Sequence, residues 1–233
     1  MCGIVGKYSC RRAPVLPDDI RKMLMQIQYR GPDESGIYIG EGIGMGSVRL
    51  SIIDLVQGSQ PMSTPEEHLW IIFNGEIFNY IELREELKRL GVQFRTSSDT
   101  EVLLFLFRQY REKCLEKLNG QFAFAIWDTK RREIFMARDR IGIRPLFYCD
   151  TGENFVFASE IKSILETGLV SPEIDPVALN QVFTFWSIPS PGSLFKGIAE
   201  LPPGHYLVKG DGPPRIEPYW EMGFTADKKT KMN

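Results

Sequence analysis

Runs of β-branched and aromatic residues recur along the first third of the chain and predict strands, because such side chains pack well on a pleated surface. The predicted strands are residues 4–9, 37–39, 48–53 and 69–73. Apolar residues elsewhere follow helical spacing, as residues 20–27 illustrate. This spacing and the polar residues that precede it predict three helices. The first begins at Pro17, the second follows Asn79 as its N-cap, and the third begins at Asp99.

The second half of the chain contains shorter elements. The predicted elements are a hairpin of 122–127 with 133–137, a hairpin of 146–148 with 155–158, helices at 160–166 and 176–183, and a last strand near 205–208. Strands and helices do not alternate strictly, which disfavours a parallel Rossmann-type sheet. The order favours an α+β fold with two stacked, mostly antiparallel sheets and helices on the outside.

The composition is that of an ordinary globular protein, with 43% hydrophobic and 25% charged residues and a formal net charge of -2. No basic block is present, which argues against nucleic acid as a partner. No apolar run reaches the ~18 residues of a membrane helix, and the first residues lack the apolar core of a signal peptide. We therefore expect a cytoplasmic protein. Its four cysteines form no Cys-x-x-Cys pair and only two histidines occur, so no metal site is expected.

The most reactive candidate is Cys2, which directly follows Met1. Met1 is normally removed when the next side chain is small, and its removal leaves Cys2 with a free α-amine beside its thiol. An ordinary α-amine, with a pKa near ~7.7–8.0, is a usable base at neutral pH, and a thiol is a good nucleophile. One residue then supplies nucleophile and base, as in N-terminal nucleophile hydrolases. The alternative is a small buried cysteine that opens a strand.

Further positions suit the hydrolysis of an amino-acid amide. Asn74 and Gly75 offer a side-chain amide and an unobstructed backbone N–H to an oxyanion, although Asn-Gly is also a strong turn signal. A helix-start signal follows within about five residues instead of a returning strand, which favours the oxyanion role. Arg49 stands alone in an apolar stretch and suits a carboxylate partner, unless it lies on an edge strand. Asp99 suits an ammonium group, or it simply caps its helix.

Seven segments along nearly the whole chain resemble the glutaminase domain of class II glutamine amidotransferases, and most of all its asparagine synthetase branch. They are 2–6 (CGIVG), 30–33 (RGPD), 49–54 (RLSIID), 73–80 (FNGEIFNY), 98–101 (SDTE), 137–148 (ARDRIGIRPLFY) and 201–205 (LPPGH). One such segment carries little weight, whereas seven in the same order are specific. The resemblance implies a four-layer αββα sandwich of the N-terminal nucleophile hydrolase type.

The resemblance also implies roles for individual residues. Cys2 is the nucleophile, and Asn74 and Gly75 form the oxyanion hole. Arg49 holds the α-carboxylate of the substrate and Asp99 its α-ammonium. The same pocket is lined by Leu50, Ile52, Ile53 and Glu76.

The activity implied by the resemblance is hydrolysis of L-glutamine to glutamate and ammonia through a γ-glutamyl thioester on Cys2. In the asparagine synthetase branch, a synthetase domain that requires ATP and Mg²⁺ uses the ammonia to form asparagine from aspartate. The Ser-Gly-Gly-x-Asp-Ser loop of that domain does not occur here. We therefore expect residues 2–222 to be the glutaminase domain, without a cofactor of its own. Residues 223–233 are expected to be a polar linker toward a synthetase domain or subunit.

Two alternatives stay open at this point. Other amidotransferase branches are disfavoured, because they usually carry a Thr-His-Gly-like segment where this chain has residues 49–52, Arg-Leu-Ser-Ile. A glutamine-sensing domain without catalysis is the second alternative, and an intact Met1 would favour it. The sequence does not decide the final acceptor of the ammonia, or whether the protein forms a homodimer.

Overall fold

A computed structural model describes residues 2–223 of the chain. Its strands form two six-stranded sheets, and each strand pairs antiparallel to its neighbours. In chain order the strands are β1 (Gly3–Ser9), β2 (Glu34–Gly40), β3 (Ile43–Arg49), β4 (Met62–Ser63), β5 (Leu69–Ile77), β6 (Gly120–Asp128), β7 (Glu133–Arg138), β8 (Phe147–Asp150), β9 (Asn154–Ala158), β10 (Ala199–Glu200), β11 (His205–Lys209) and β12 (Arg215–Pro218). The first sheet has the order β10-β8-β9-β1-β3-β2, and the second has the order β12-β11-β7-β6-β5-β4.

Residues 2–223 also contain six α-helices. They are α1 (Pro17–Met25), α2 (Tyr80–Arg89), α3 (Asp99–Tyr110), α4 (Cys114–Lys117), α5 (Ile161–Leu165) and α6 (Pro176–Phe185), with short 3₁₀ turns at Gln28–Arg30 and Arg111–Lys113. Helix α1 begins with a proline, whose fixed φ suits the first helical position. Helix α3 is capped by Ser98, whose Oγ accepts a hydrogen bond from the Thr100 N–H at 3.0 Å.

Three layers of buried apolar side chains hold the architecture together. The central layer lies between the two sheets and includes Ile4, Ile72 and Trp127. One outer layer packs α1 and α5 against the first sheet, and the other packs α2, α3 and α4 against the second sheet. Burial of these side chains is the main force that favours this arrangement. The predicted four-layer αββα sandwich, an α+β fold with two antiparallel sheets, is therefore confirmed.

The predicted strand 48–53 is wrong over its last four residues, and residues 43–47 of β3 were not predicted. Strand β3 ends at Arg49, and residues 50–58 form an irregular loop, despite their apolar content. The Arg49 guanidinium explains the difference, because its Nη2 donates to the carbonyls of Ile53 at 2.9 Å and Asp54 at 2.6 Å. These bonds fold the chain back on the end of the strand and satisfy carbonyls that a longer strand would present to a neighbour.

The other differences concern small elements. Strands β4, β10 and β12 were not predicted, because the first two have only two residues each and the third is largely polar. Asn79 occupies the N-cap position of α2, but its side chain binds the backbone of Lys117 and Asn119 instead of a helical N–H. No helix within residues 2–223 has the length and apolar character needed to cross a membrane. The predicted linker lies outside the described residues, except for residue 223.

Candidate active site

One cavity lies where β1, β3 and β5 meet the N-terminus of α3. Its volume is about 120 Å³. Pockets for drug-sized ligands measure ~300–1,000 Å³, so this cavity suits a ligand closer to the size of one amino acid. Every residue to which the sequence assigned a role lines it, namely Cys2, Arg49, Leu50, Ile52, Ile53, Asn74, Gly75, Glu76 and Asp99. The fold thus brings together residues that stand far apart in the sequence.

Cys2 stands directly before β1, a central strand of the first sheet that pairs with β3 on one side and with β9 on the other. Its Sγ lies 3.7 Å from the carbonyl oxygen of Leu50, to which the thiol donates. Two residues further on, the N–H of Ile4 donates to Ser159 Oγ at 3.0 Å, and the Ser159 N–H donates back to the Ile4 carbonyl at 2.9 Å. The nucleophile candidate is therefore half-buried at the rim of a rigid sheet.

Asn74 and Gly75 lie within β5, where they pair with Ala123 and Phe122 of β6, so the alternative of an Asn-Gly turn is wrong. A Cβ at residue 75 would stand 2.2 Å from the carbonyl oxygen of Gln121, which explains why glycine is needed at this close approach. The Asn74 side chain is buried, and within residues 2–223 neither of its polar atoms has a hydrogen-bond partner. An unpaired buried amide is rare in native proteins and calls for a functional explanation.

Arg49 is buried at the end of β3, and its guanidinium makes three hydrogen bonds within the protein. Besides the two carbonyls of the following loop, Nη1 faces Glu34 Oε2 at 3.3 Å. A guanidinium has five N–H donors, so two of them, on Nε and Nη1, have no partner among residues 2–223 and can bind a ligand. The isolated charge predicted from the sequence thus has internal partners and retains the capacity to bind a carboxylate. The edge-strand alternative is wrong, because β3 lies between β1 and β2.

Asp99 is the first residue of α3, and Ser98 is the N-cap, so the alternative that Asp99 caps its helix is wrong. Its Oδ2 accepts a hydrogen bond from the Ile77 N–H at 3.1 Å. Burial raises the pKa of the carboxyl from 3.8 to about 6, and the nearby charge of Glu76 acts in the same direction. A carboxyl with so raised a pKa favours a cationic partner in the cavity.

The remaining predicted residues form the cavity wall. Glu76 follows Gly75 in β5. Leu50, Ile52 and Ile53 belong to the loop after β3, and Ile52 is 70% exposed. Because the carbonyls of Leu50 and Ile53 accept bonds from other residues of the site, the backbone of this loop shapes the cavity.

The cavity also contains residues that the sequence left without a role. They are Gln60, Phe73, Ser98, Thr100 and Arg144. Gln60 is buried, and its Oε1 accepts from the Phe73 N–H at 2.7 Å while its Nε2 donates to Thr100 Oγ1 at 3.3 Å. It thereby ties the strand that carries Asn74 to the helix that carries Asp99. No local pattern marked Gln60, because its two partners are distant along the chain.

The segment Arg30–Asp33, which the sequence marked as a motif without a function, clamps the site. Arg30 Nε donates to the carbonyl oxygen of Cys2 at 2.9 Å, and its Nη1 bonds to Glu160 Oε1 at 2.7 Å. Burial acts to raise the pKa of Glu160, but its hydrogen bonds to neighbouring side chains prevail and lower it. Arg30 therefore joins a partly buried ion pair to the peptide of the candidate nucleophile.

Two other residues of this segment, Gly31 and Asp33, contact the end of β3 and the loop that follows it. Asp33 Oδ2 accepts from the Ser51 N–H at 2.8 Å, so it anchors the start of the loop after β3. Gly31 permits this approach, since a Cβ there would lie 2.3 Å from the Arg49 backbone nitrogen.

Comparisons with known proteins agree on one family. A model described as the glutamine amidotransferase domain matches residues 1–220. Asparagine synthetase [glutamine-hydrolyzing] 1 of Bacillus subtilis is 42% identical over 228 residues, which cover 96% of this chain and 36% of that protein. Asparagine synthetase [glutamine-hydrolyzing] 3 of the same organism is 38% identical over 226 residues, with coverages of 95% and 37%. The chain therefore spans little more than a third of the length of these relatives.

Solved structures support the fold. A glutamine phosphoribosylpyrophosphate amidotransferase from B. subtilis, complexed with ADP and GMP, superimposes with a TM-score of 0.69 at 22% identity. The match covers 93% of this chain and 49% of that chain. At so low an identity, the likeness concerns the architecture of the two sheets and their helices.

Proposed function

The chain belongs to the class II glutamine amidotransferase domain family, and from that premise we propose that it hydrolyses the side-chain amide of L-glutamine through Cys2. The products are glutamate and ammonia. The ammonia is passed to an ATP-dependent synthetase domain or subunit, which uses it to convert aspartate to asparagine. The relatives with 42% and 38% identity, both named asparagine synthetases, support this acceptor.

The observation that carries the proposal is the unpartnered amide of Asn74 in the same cavity as Cys2. Leaving a buried polar group without a hydrogen bond destabilises a protein by about 1–3 kcal/mol. We infer that a buried amide kept in the protein despite this destabilisation forms a hydrogen bond with a substrate or a reaction intermediate. The oxyanion formed by attack of a thiolate on an amide is such a partner for Asn74 Nδ2, with the Gly75 N–H as second donor.

The charges of the cavity match the remainder of the substrate. Glutamine carries an α-carboxylate and an α-ammonium group besides its amide. Arg49 offers two free N–H donors to the first, and Asp99 offers a carboxylate to the second. A simple carboxamide lacks these charges and would bind neither the two remaining donors of Arg49 nor the charge of Asp99, so free glutamine is the substrate that fits best.

The proposed reaction has two stages. The Cys2 thiolate attacks the amide carbon of glutamine and the C–N bond breaks. The leaving nitrogen takes a proton from the α-ammonium of Cys2. Ammonia departs and a γ-glutamyl thioester remains. The α-amine then removes a proton from water, the hydroxide attacks the thioester, and cleavage of the C–S bond releases glutamate. This chemistry requires that Met1 be removed, because an acylated nitrogen is no base.

The test is a glutaminase assay on the purified chain, with glutamate and ammonia measured together. Equal amounts of both are expected, and intact-mass measurement is expected to show a protein without Met1. Cys2→Ala should abolish the activity. Cys10→Ala is the matched control, because Cys10 directly follows the other end of β1 and is also half-buried. Full activity with Met1 in place, or activity in Cys2→Ala, would contradict the mechanism.

A second assay concerns the acceptor. With glutamine, aspartate, ATP and Mg²⁺, the chain alone should release glutamate and ammonia and form no asparagine, since its sequence contains no Ser-Gly-Gly-x-Asp-Ser loop. Formation of asparagine would refute the division of the reaction between two domains.

A further inference from the structure

Helix α6 presents apolar side chains to solvent. Phe183 is 79% exposed, Phe185 is 62% exposed, and Trp186, directly after the helix, is 93% exposed. Leu179, Phe183 and Trp186 follow the spacing i, i+4, i+7 and so lie on one side of the helix. We call Leu179, Phe183, Phe185 and Trp186 the α6 face.

Such a face is unusual for a helix on the surface of a monomer. Helix α1, which packs on the first sheet, buries Ile20, Met23 and Leu24, as an amphipathic helix should. Helix α6 buries only Ala178 among its ten residues. Single exposed apolar residues are common, but a group of large aromatic side chains marks an interaction surface. Tryptophan and other aromatic residues are also the usual anchors of protein interfaces.

Hydrogen bonds connect the segment after the α6 face to the wall of the candidate active site. The Glu200 N–H donates to the carbonyl of Pro191 at 2.9 Å, and Glu200 forms an ion pair with Arg138 at 2.8 Å. Arg138 also donates to the carbonyls of Leu201 at 2.8 Å and Arg144 at 2.7 Å. Arg144 lines the cavity. The chain that follows the α6 face is therefore linked, through Glu200 and Arg138, to the wall of the site where ammonia is released.

The nature of the partner follows from the sequence and its relatives. The last ten residues, FTADKKTKMN, are mostly polar and offer only three apolar side chains, those of Phe224, Ala226 and Met232, to cover such a surface. The relatives continue well beyond the matched region, which makes up 36% and 37% of their lengths. We propose that the α6 face is the surface on which the ammonia-using synthetase domain docks. This inference rests on the proposed function, which supplies the need for such a domain beside the site.

Docking at this place has a functional consequence. Ammonia that leaves the cavity into water is lost to the synthetase. Burial of the α6 face fixes the two domains relative to each other, and a fixed arrangement favours transfer over release. Loss of the face should therefore uncouple the two reactions without stopping either of them.

The experiment joins this chain to the part of B. subtilis asparagine synthetase 1 that the chain does not cover. The double variant Phe183→Ser/Trp186→Ser is compared with Met25→Ser, a control that removes an equally exposed apolar side chain from α1. Each protein receives either glutamine or ammonium chloride, together with aspartate, ATP and Mg²⁺. Asparagine and glutamate are both measured.

The double variant should make less than about half as much asparagine per glutamate as the unsubstituted fusion, because loss of one aromatic anchor weakens docking by about 30-fold. Its glutaminase rate and its ammonia-supported synthesis should be unchanged, and Met25→Ser should behave as the unsubstituted fusion. An unchanged ratio in the double variant would overturn the proposal.

Hydroxyl-radical oxidation of the peptide that contains residues 177–186 supplies a readout that needs no activity. Oxidation should fall severalfold in the unsubstituted fusion relative to the chain alone. Equal oxidation in both proteins would overturn the docking proposal, even if glutamine hydrolysis is intact. Lack of glutaminase activity with a protected peptide would instead refute the proposed function and leave the docking surface supported. A chain that dimerises alone, and becomes monomeric in the double variant, would show that a second copy occupies the α6 face and would overturn the proposal.

Discussion

Replacement of Asp99 by asparagine is expected to stabilise the folded protein at pH 8 while it weakens glutamine binding. Burial raises the pKa of this carboxyl from 3.8 to about 6, so its ionised form disfavours the native state relative to the unfolded chain. Asparagine has the same shape and keeps an oxygen that accepts from the Ile77 N–H. It carries no charge, and the unfavourable burial of the carboxylate is removed.

The size of the effect follows from the two pKa values. The difference between about 6 and 3.8 corresponds to about 3 kcal/mol at full ionisation. Below pH ~3 the carboxyl is largely protonated in both states and the variant gains almost nothing. As the pH rises to about 6, the unfolded chain loses its proton first, so the wild type loses stability and the variant does not. At pH 8 the gain should amount to ~6–12 °C in Tm for a chain of this size.

Thermal unfolding at pH 5 and pH 8 measures this difference, and about half of the gain should remain at pH 5. Glu101→Gln is the matched control from the same helical turn. Glu101 is also buried, but it accepts hydrogen bonds from the Arg95 N–H and from the N–H and hydroxyl of Thr96. Its replacement should destabilise the protein, because an amide cannot accept all three bonds. An Asp99→Asn variant that is less stable at pH 8, or equally stabilised at both pH values, would refute the reasoning.

The same substitution tests the role of Asp99 in binding. Loss of a charged partner for the α-ammonium of glutamine should raise KM about 10–100-fold with little change in kcat. In the wild type, kcat/KM should fall as the pH drops below about 6, because protonated Asp99 offers no charge to the ammonium. The variant should lack this acid limb. A variant that keeps the limb would show that another group titrates there.

Two further predictions concern the remaining machinery. Asn74→Ala should lower kcat by about 10²–10³, as expected for one lost oxyanion donor. Arg49→Ala should act mainly on KM, because the carboxylate contact exists before and during the reaction. Steady-state kinetics separates the two effects, and an effect of Asn74→Ala on KM alone would contradict the assignment of Asn74 to the oxyanion hole. Arg30→Ala should lower kcat by about 10–10²-fold with little change in KM, since Arg30 holds the Cys2 carbonyl and lies outside the substrate cavity. An equal rise in KM would speak against a positioning role.

The sequence alone predicted which residues meet in the cavity and in which kind of fold, mainly because seven of its segments resemble those of class II glutamine amidotransferases in the same order. Amide hydrolysis needs a nucleophile, oxyanion donors and partners for the substrate charges, and each of these is a residue type in a short local segment. The alternation of apolar residues likewise predicted most strands and helices, because burial acts on one face of each element. Both kinds of information are local, and both are readable without coordinates.

Only the tertiary structure decided how these parts are held. The end of β3 at Arg49, the link that Gln60 makes between β5 and α3, and the grip of Arg30 on Cys2 all depend on hydrogen bonds between distant segments. The raised pKa of Asp99 depends on burial by the whole fold. Such effects arise when packing removes water from particular groups and leaves others unpaired, and no local pattern of residues records which groups these are.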